Sequence, residues 1–163
     1  MSFSFHGSVP SKYVGTRTQQ VQELARQMWE CYGLQDWTFA FNRRKTHMGL
    51  CLYGPRVIEL SVHFIARNGD DLIRDTLLHE IAHALVGPGH GHDAVWKQAC
   101  LRVGAKPQRV SFEVDMPDGR WQARCTSCGV VHHKHRKPKR MFGWFCVHCG
   151  PKRGKLTWLA VVK

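Results

Sequence analysis

Asp70-Asp71-Leu72-Ile73-Arg74-Asp75-Thr76-Leu77-Leu78-His79-Glu80-Ile81-Ala82-His83-Ala84-Leu85-Val86 is the stretch on which the reading of this chain turns. Leu72, Ile73, Leu77, Ile81, Ala82 and Leu85 recur at helical spacing, which predicts a helix over 70–86. Gly87-Pro88-Gly89 then stops it. On such a helix His79 and His83 are one turn apart, so both imidazoles leave the same face about 6 Å from each other and can share a metal ion. Glu80 supplies the carboxylate that a zinc-activated water needs as its base. The pattern reads as a zinc hydrolase, most simply a peptidase. The bland alternative is a helix with two histidines by accident, and the helical setting argues against it.

An open zinc site takes three protein ligands. The Gly/Pro turn lets the chain double back into a second periodic segment, Asp93 to Val103, with Val95, Trp96, Ala99, Cys100 and Val103 on its apolar face. Gly89-His90-Gly91-His92 lies between the two helices and offers two candidates. His92 adjoins the second helix and has a fixed direction, whereas His90 is flanked by glycines. Spacing favours His92 and leaves His90 open. The metzincin pattern is excluded, because its glycine and third histidine would fall on Val86 and Gly89. A downstream carboxylate, Glu113, is the weaker third-ligand alternative.

At 163 residues, with 43% apolar and 22% charged side chains, the chain can bury one ordinary core plus a small appendage. Met1 to Gly15 has no apolar run of signal-peptide length, and no stretch approaches the roughly 18 apolar residues needed to span a bilayer. A cytoplasmic protein without a membrane partner is expected, nuclear if its source is a eukaryote. Four of the 7 cysteines form two CxxC pairs, which suits metal binding in a reducing compartment better than disulfides. Cys31, Cys51 and Cys100 fall within apolar patterns and are expected to be buried thiols.

Charge divides the chain sharply. Residues 1–100 hold 10 Lys/Arg against 9 Asp/Glu, and residues 101–163 hold 14 against 3, so the formal charges are +1 and +11. So lopsided a distribution points to a polyanionic partner, with nucleic acid the first candidate. The basic third also carries Cys125-Thr126-Ser127-Cys128-Gly129 and Cys146-Val147-His148-Cys149-Gly150. Two such knuckles at this separation are the pattern of a structural zinc site closed by Cys125, Cys128, Cys146 and Cys149. Gly129 and Gly150 follow the knuckles where a residue without Cβ can take the turn. Strands are expected at Trp121 to Arg124, Val130 to His133, Met141 to Phe145 and Leu156 to Val162, giving a zinc ribbon. Four thiolates and one Zn²⁺ contribute about −2, which leaves the ribbon third at roughly +9. Its cations cluster at Lys134, Arg136, Lys137, Lys139 and Arg140, beside Phe142, Trp144 and Phe145. Cationic loops next to aromatic rings can hold phosphates and stack on unpaired bases, with Trp144 the named candidate. Core packing is the competing role for these aromatics.

Upstream, Val21, Leu24, Ala25, Met28, Trp29 and Tyr32 predict a helix from Thr16 to Tyr32, ended by Gly33. Three strand-like runs follow: Trp37 to Phe41, Met48 to Tyr53, and Val57 to Phe64. In the last, Ile58, Leu60, Val62 and Phe64 alternate with Val57, Glu59, Ser61 and His63, so Glu59 and His63 are expected on a solvated face.

Trp37-Thr38-Phe39-Ala40-Phe41-Asn42, Arg43-Arg44-Lys45, Met48-Gly49-Leu50-Cys51, Ile58-Glu59-Leu60-Ser61, Asp75 through Ala84, Gly91-His92-Asp93-Ala94-Val95-Trp96 and then a CxxC ribbon occur in order. Over about residues 16–150 the chain thereby resembles the SprT-like metalloproteases, which include the Spartan proteases. The resemblance implies an α+β, zincin-like fold: an N-terminal helix, a three-stranded antiparallel sheet and the HExxH helix over 1–110, then a small β zinc ribbon over 111–163. It implies that the third ligand is the His of a Gly-His motif four residues before an aromatic, which here is His92 before Trp96. His79, His83 and His92 would hold a catalytic Zn²⁺ with Glu80 as the catalytic residue, and the four cysteines a structural Zn²⁺. The implied activity is DNA-dependent proteolysis of proteins crosslinked to DNA, with DNA, single-stranded or distorted, and protein substrates as partners. Ending at Lys163, the chain is expected to lack the clamp- and ubiquitin-binding tail of longer Spartan proteins. Two other classes stay in play: a non-catalytic zinc-ribbon nucleic-acid-binding protein, against which the intact His79, Glu80, His83 and His92 argue, and a zinc hydrolase acting on nucleic acid itself.

Overall fold

The computed structural model describes residues 16–108 and 114–161. The chain divides into two compact units, Met1–Asp115 and Met116–Lys163. The boundary expected at 110/111 and the candidate ligand Glu113 lie outside the described residues.

In the first unit, helix α1 (Arg17–Tyr32) opens with the Gln19 side chain accepting from Thr16 N–H at 2.6 Å and closes at Gly33. It buries Val21, Ala25, Met28 and Trp29. Cys31 is exposed, contrary to expectation, because it lies off this stripe on the far side of the helix. Cys100 is buried as expected and Cys51 partly so.

Strands β1 (Thr38–Asn42), β2 (Gly49–Leu52) and β3 (Val57–Ser61) form one sheet in the order β1-β3-β2. The fully antiparallel sheet expected from the sequence is corrected here: β2 pairs antiparallel with β3, but β1 pairs with β3 in parallel. Loop 43–48 carries the chain past the sheet's middle position, so β2 lands on the far side and β3 fills the centre. Buried Ser61 secures that crossing, its N–H donating to Met48 O at 2.8 Å and its hydroxyl to Arg44 O at 2.5 Å.

The third strand also ends earlier than its alternation suggests. The Ser61 hydroxyl accepts from His63 N–H at 3.2 Å and caps a short helix, α2 (Val62–Ile65). Phe64 and Ile65 are consecutive and both fully buried, which a helical turn permits and an alternating strand does not. His63 therefore sits on a helix, not a strand face. Glu59 is half-buried and accepts from Asn42 Nδ2 at 2.9 Å, so it is a cross-strand partner, not a solvated position.

Helix α3 (Asp70–Val86) matches the predicted limits and is stopped at Gly87. It packs against β2, β3, α1 and α4, which explains why Ile73, Leu77, Leu78, Ile81 and Ala82 are all buried at 0 to 3% exposure. Helix α4 (Ala94–Val103) starts where Asp93 accepts from Trp96 N–H at 3.0 Å, and it buries Trp96, Ala99, Cys100 and Val103. No helix among the described residues is long and apolar enough to cross a membrane.

The second unit contains β4 (Trp121–Arg124), β5 (Val131–Lys134), β6 (Trp144–Phe145), a short helix α5 (Gly150–Arg153), β7 (Lys155–Leu156) and β8 (Leu159–Ala160). Strands β5-β4-β8 form one antiparallel sheet and β6-β7 another. The single strand expected over 156–162 is thus split between two sheets, because Trp158 turns inward to 3% exposure between β7 and β8. Val162 lies outside the described residues. The unit's core is small: Ala123, Cys125, Cys146, Leu156 and Trp158.

Candidate metal centres

Helix α3 places His79 and His83 on one face, with ring centroids 5.1 Å apart. The turn after Gly87 brings His92 back to them, so that its Nε2 lies 3.2 Å from His79 Nε2 and 3.3 Å from His83 Nε2. Ligands at about 2.0–2.1 Å from a tetrahedral zinc ion are about 3.3 Å apart, so the three nitrogens sit at the spacing such an ion requires. These residues can hold a metal ion. Burial above all, then neighbouring His83 and His92, holds the His79 imidazole down to about pKa 3. Burial and then His92 hold His83 down to about 4, partly offset by the His90 backbone carbonyl that accepts from its ring. Neutral imidazole is the form a metal takes.

Between the two candidate third ligands the structure brings His92 to the cluster. His90 Nδ1 instead pairs with Asp93 Oδ2 at 2.8 Å. Asp93 thus uses one carboxylate oxygen to cap α4 and the other to hold His90 away from the three nitrogens.

Trp96, legible in the sequence as a core position, does more than fill space. It is fully buried, and its ring lies 4.6, 5.1 and 4.5 Å from those of His79, His83 and His92, stacked on His83 at 26°. One indole therefore forms the wall against which all three imidazoles rest.

Glu80 points from the same helix toward β2 and is 7% exposed. Burial pushes its carboxyl up to about pKa 8. Gly49 makes room for it: a Cβ there would lie 2.7 Å from Glu80 Oε1 and 2.8 Å from its Cγ. Sequence reading gave Gly49 no role; the signal was a glycine at the start of a strand, where close backbone approach is one of few explanations. The imidazoles and Glu80 face a cleft of about 720 Å³ whose opposite wall includes Thr46, His47, Gly49, Cys51 and Tyr53.

In the second unit all four cysteine sulfurs lie within 4.8 Å of one another, with Cys128 Sγ and Cys146 Sγ 3.7 Å apart. A tetrahedral zinc ion with sulfurs at about 2.3 Å would set them about 3.8 Å apart. The knuckles are closed by Gly129 N–H to Cys125 O and Gly150 N–H to Cys146 O, both at 2.9 Å, with Gly129 and Gly150 at φ +75° and +68°. The second knuckle is crowded as well, since a Cβ at Gly154 would meet Cys149 Cβ at 2.8 Å and Cys146 Cβ at 2.9 Å. Four thiols converging at this spacing can hold a metal ion.

Arg136, Lys137, Lys139 and Arg140 are exposed in the loop after β5. Lys134 is not: its Nζ lies 3.3 Å above the Trp144 ring and 5.1 Å from that of Trp158. Trp144 is consequently covered on one face, and its Nε1 donates to Arg140 O at 2.8 Å. Phe142 and Phe145 are the more open aromatics of the unit, 77% and 50% exposed against 39% for Trp144.

The SprT-like family model matches residues 18–116, which contain His79, Glu80, His83, His92 and Gly49 and exclude the cysteine site. Protein SprT of Klebsiella pneumoniae is 25% identical over 123 residues, 69% of this chain and 74% of that protein. Protein SprT of Proteus mirabilis is 27% identical over 124 residues, 69% of this chain and 73% of that protein. Germ cell nuclear acidic protein of Drosophila melanogaster is 31% identical over 109 residues, 62% of this chain but 10% of that much longer protein. With a three-histidine cluster, a seated glutamate and a family match over more than half its length, this chain belongs to the SprT-like family.

Proposed function

We propose that the chain is a zinc-dependent metallopeptidase that acts on proteins held on or crosslinked to DNA. The observation that carries the peptidase reading is the convergence of the His79, His83 and His92 Nε2 atoms at tetrahedral spacing, with Glu80 seated beside them in an open cleft. A zinc ion bound there supplies a Lewis acid that acidifies water and polarises a peptide carbonyl. The three histidines hold it in neutral form, and Trp96 fixes their ring directions. Glu80 accepts a proton from the attacking water and passes it to the nitrogen of the breaking C–N bond, giving a free carboxylate and amine.

Support for DNA as partner comes from charge and surface. Residues 101–163 hold 14 basic against 3 acidic residues, and Arg136, Lys137, Lys139 and Arg140 project from one loop near exposed Phe142 and Phe145. Base stacking on this unit is assigned to Phe142 and Phe145 in preference to Trp144, whose face Lys134 occupies.

The deciding experiment compares wild-type protein with Glu80→Gln, each with and without single-stranded DNA, on a protein substrate and on labelled DNA. Expected are zinc retained in both proteins, proteolysis by wild type that DNA stimulates, and a fall of at least about 100-fold in the variant. Undiminished proteolysis by Glu80→Gln removes the peptidase assignment. Cleavage of the DNA strand itself selects a zinc hydrolase acting on nucleic acid.

A further inference from the structure

The loop that links β1 to β2 carries Arg43, Arg44 and Lys45, all exposed, and runs directly into Thr46 and His47 of the cleft wall. The first unit neutralises several of its other arginines locally. Arg17 pairs with Asp70 at 2.9 Å, Arg26 with Glu23 at 2.7 Å and with Glu30, Arg56 with Asp36, and Arg67 with Asp115 at 3.5 Å. Arg43, Arg44 and Lys45 pair with no carboxylate among the described residues. Glu59 on the neighbouring strand is engaged by Asn42 at 2.9 Å, not by the arginines. Among the described residues, the unit's other cations without a carboxylate partner are Arg74 on α3, Lys97 and Arg102 on α4, and Lys106 just after α4, which itself lines the cleft. A unit of nearly balanced charge thus leaves three adjacent cations uncompensated at the mouth of its cleft.

The backbone beneath them is fixed. Asn42 Oδ1 accepts from Arg44 N–H at 2.9 Å, and the buried Ser61 hydroxyl donates to Arg44 O at 2.5 Å. The cations are therefore presented on an ordered turn, which lowers the entropy lost on binding a partner. We propose that Arg43, Arg44 and Lys45 are a phosphate-binding lip, by which the first unit itself holds the backbone of DNA beside the cleft. The inference rests on the DNA association proposed above and adds a contact independent of the cysteine unit. Phosphates recur along a strand at one charge per nucleotide, so a row of three cations can be matched one for one, and the guanidinium fork fits phosphate oxygens in pairs. Such a lip would place DNA next to the peptide being cut, so that a protein is cleaved because it lies against the strand.

The test uses the full chain with Arg43→Gln, Arg44→Gln and Lys45→Gln combined, and measures affinity for a DNA oligonucleotide from about 50 to 200 mM salt. Three lost phosphate contacts should shrink the slope of log K against log [salt] by about 2 to 3, and Arg43→Gln or Lys45→Gln alone by about 0.7 to 0.9. A combined Arg43→Lys, Arg44→Lys variant, which keeps the charge, should retain most of the slope. Zinc content and Tm establish that each variant is folded, and a parallel Lys137→Gln, Lys139→Gln, Arg140→Gln variant reports the cysteine unit's share. A wild-type slope that survives in the triple loop variant overturns the lip while leaving DNA association intact. An unchanged slope with selective loss of cleavage of acidic peptides assigns the loop to an acidic polypeptide and likewise overturns it. Absence of salt-dependent DNA binding by wild type overturns the DNA reading itself, and this inference with it.

Discussion

Replacing Gly49 by alanine isolates how tightly Glu80 is seated. The added Cβ would stand 2.7 Å from Glu80 Oε1, 2.8 Å from Glu80 Cγ and 3.0 Å from Leu60 Cδ2. Non-bonded carbon contacts are comfortable at about 3.5 Å or more, so the carboxyl must retreat by roughly 0.7 Å. Leu60 is fully buried and cannot yield, so the carboxyl is displaced from its seat toward the cleft it lines. Gly49 does not have the left-handed backbone that would itself resist a side chain, so crowding is the main perturbation. Misplacing a catalytic group by about 1 Å can cost about 100-fold, and we expect kcat/KM on a protein substrate to fall about 10- to 100-fold, or about 1.4 to 2.7 kcal/mol. Overpacking should also cost about 1–3 kcal/mol of stability. The three atoms nearest the added methyl belong to Glu80 and Leu60, not to the histidines, so zinc content should stay at the wild-type value. In a Glu80→Gln background the same substitution should lower activity no further, because the two act through one group. Wild-type kcat/KM in Gly49→Ala would refute the seating argument, and loss of zinc would show that Gly49 supports the ligands instead.

Trp96→Ala should destabilise the chain by about 3–5 kcal/mol and speed the loss of metal to a chelator, because it removes the wall behind three imidazoles. Unaltered metal retention in the folded variant would take the indole out of the site's support. Metal-free protein should lose stability as pH falls from about 6.5 toward 4: the unfolded imidazoles titrate near 6.5, whereas folded His79 and His83 are held down to about 3 and about 4. Below 6.5 the two unfolded imidazoles gain up to two protons that the folded pair does not, which outweighs the one proton that buried Glu80, raised to about 8, keeps in the folded chain, and urea midpoints measured across that window should decline. A flat profile for metal-free protein would contradict the burial of these rings. Removing metal from the cysteine site should abolish the near-ultraviolet circular dichroism of Trp158 while the helical signal of the first unit persists, because two-residue strands and a five-residue core hold little without the cross-link. Retention of the Trp158 signal would show that the ribbon folds without its metal.

The three long helices, α1, α3 and α4, were legible because their evidence is local. Asp70 to Val86 announces itself by spacing, by a Gly-Pro-Gly stop and by His79 and His83 one turn apart, and each is a property of a few neighbouring residues. Knuckle cysteines belong to the same class, since two CxxC pairs and their glycines specify their own turns. Strand partners are set by distant chain segments. Nothing within β1 says that β3 will lie beside it in parallel, because that depends on how loop 43–48 crosses the sheet and on Ser61 reaching Arg44 O and Met48 O. The alternation in 57–64 misled for a related reason: Ser61 can continue a strand or cap a helix, and tertiary context chose the cap. Cys31 looked apolar in sequence yet faces outward, because helix phase, not residue type, decides burial.

By itself the sequence determined the chemistry on offer: two histidines and a glutamate on one helix, a choice of His90 or His92, four cysteines in two knuckles, and a basic C-terminal third. The tertiary structure decided how those groups are held. It turned His92 onto the α3 face and drew His90 aside to Asp93, set Trp96 behind the imidazoles, and opened a space at Gly49 for Glu80. It also covered Trp144 with Lys134 and left Arg43 to Lys45 uncompensated beside the cleft. Ligand identity is written in residue type and short spacing, whereas orientation, burial and charge compensation arise between residues far apart in the chain and exist only once it is folded.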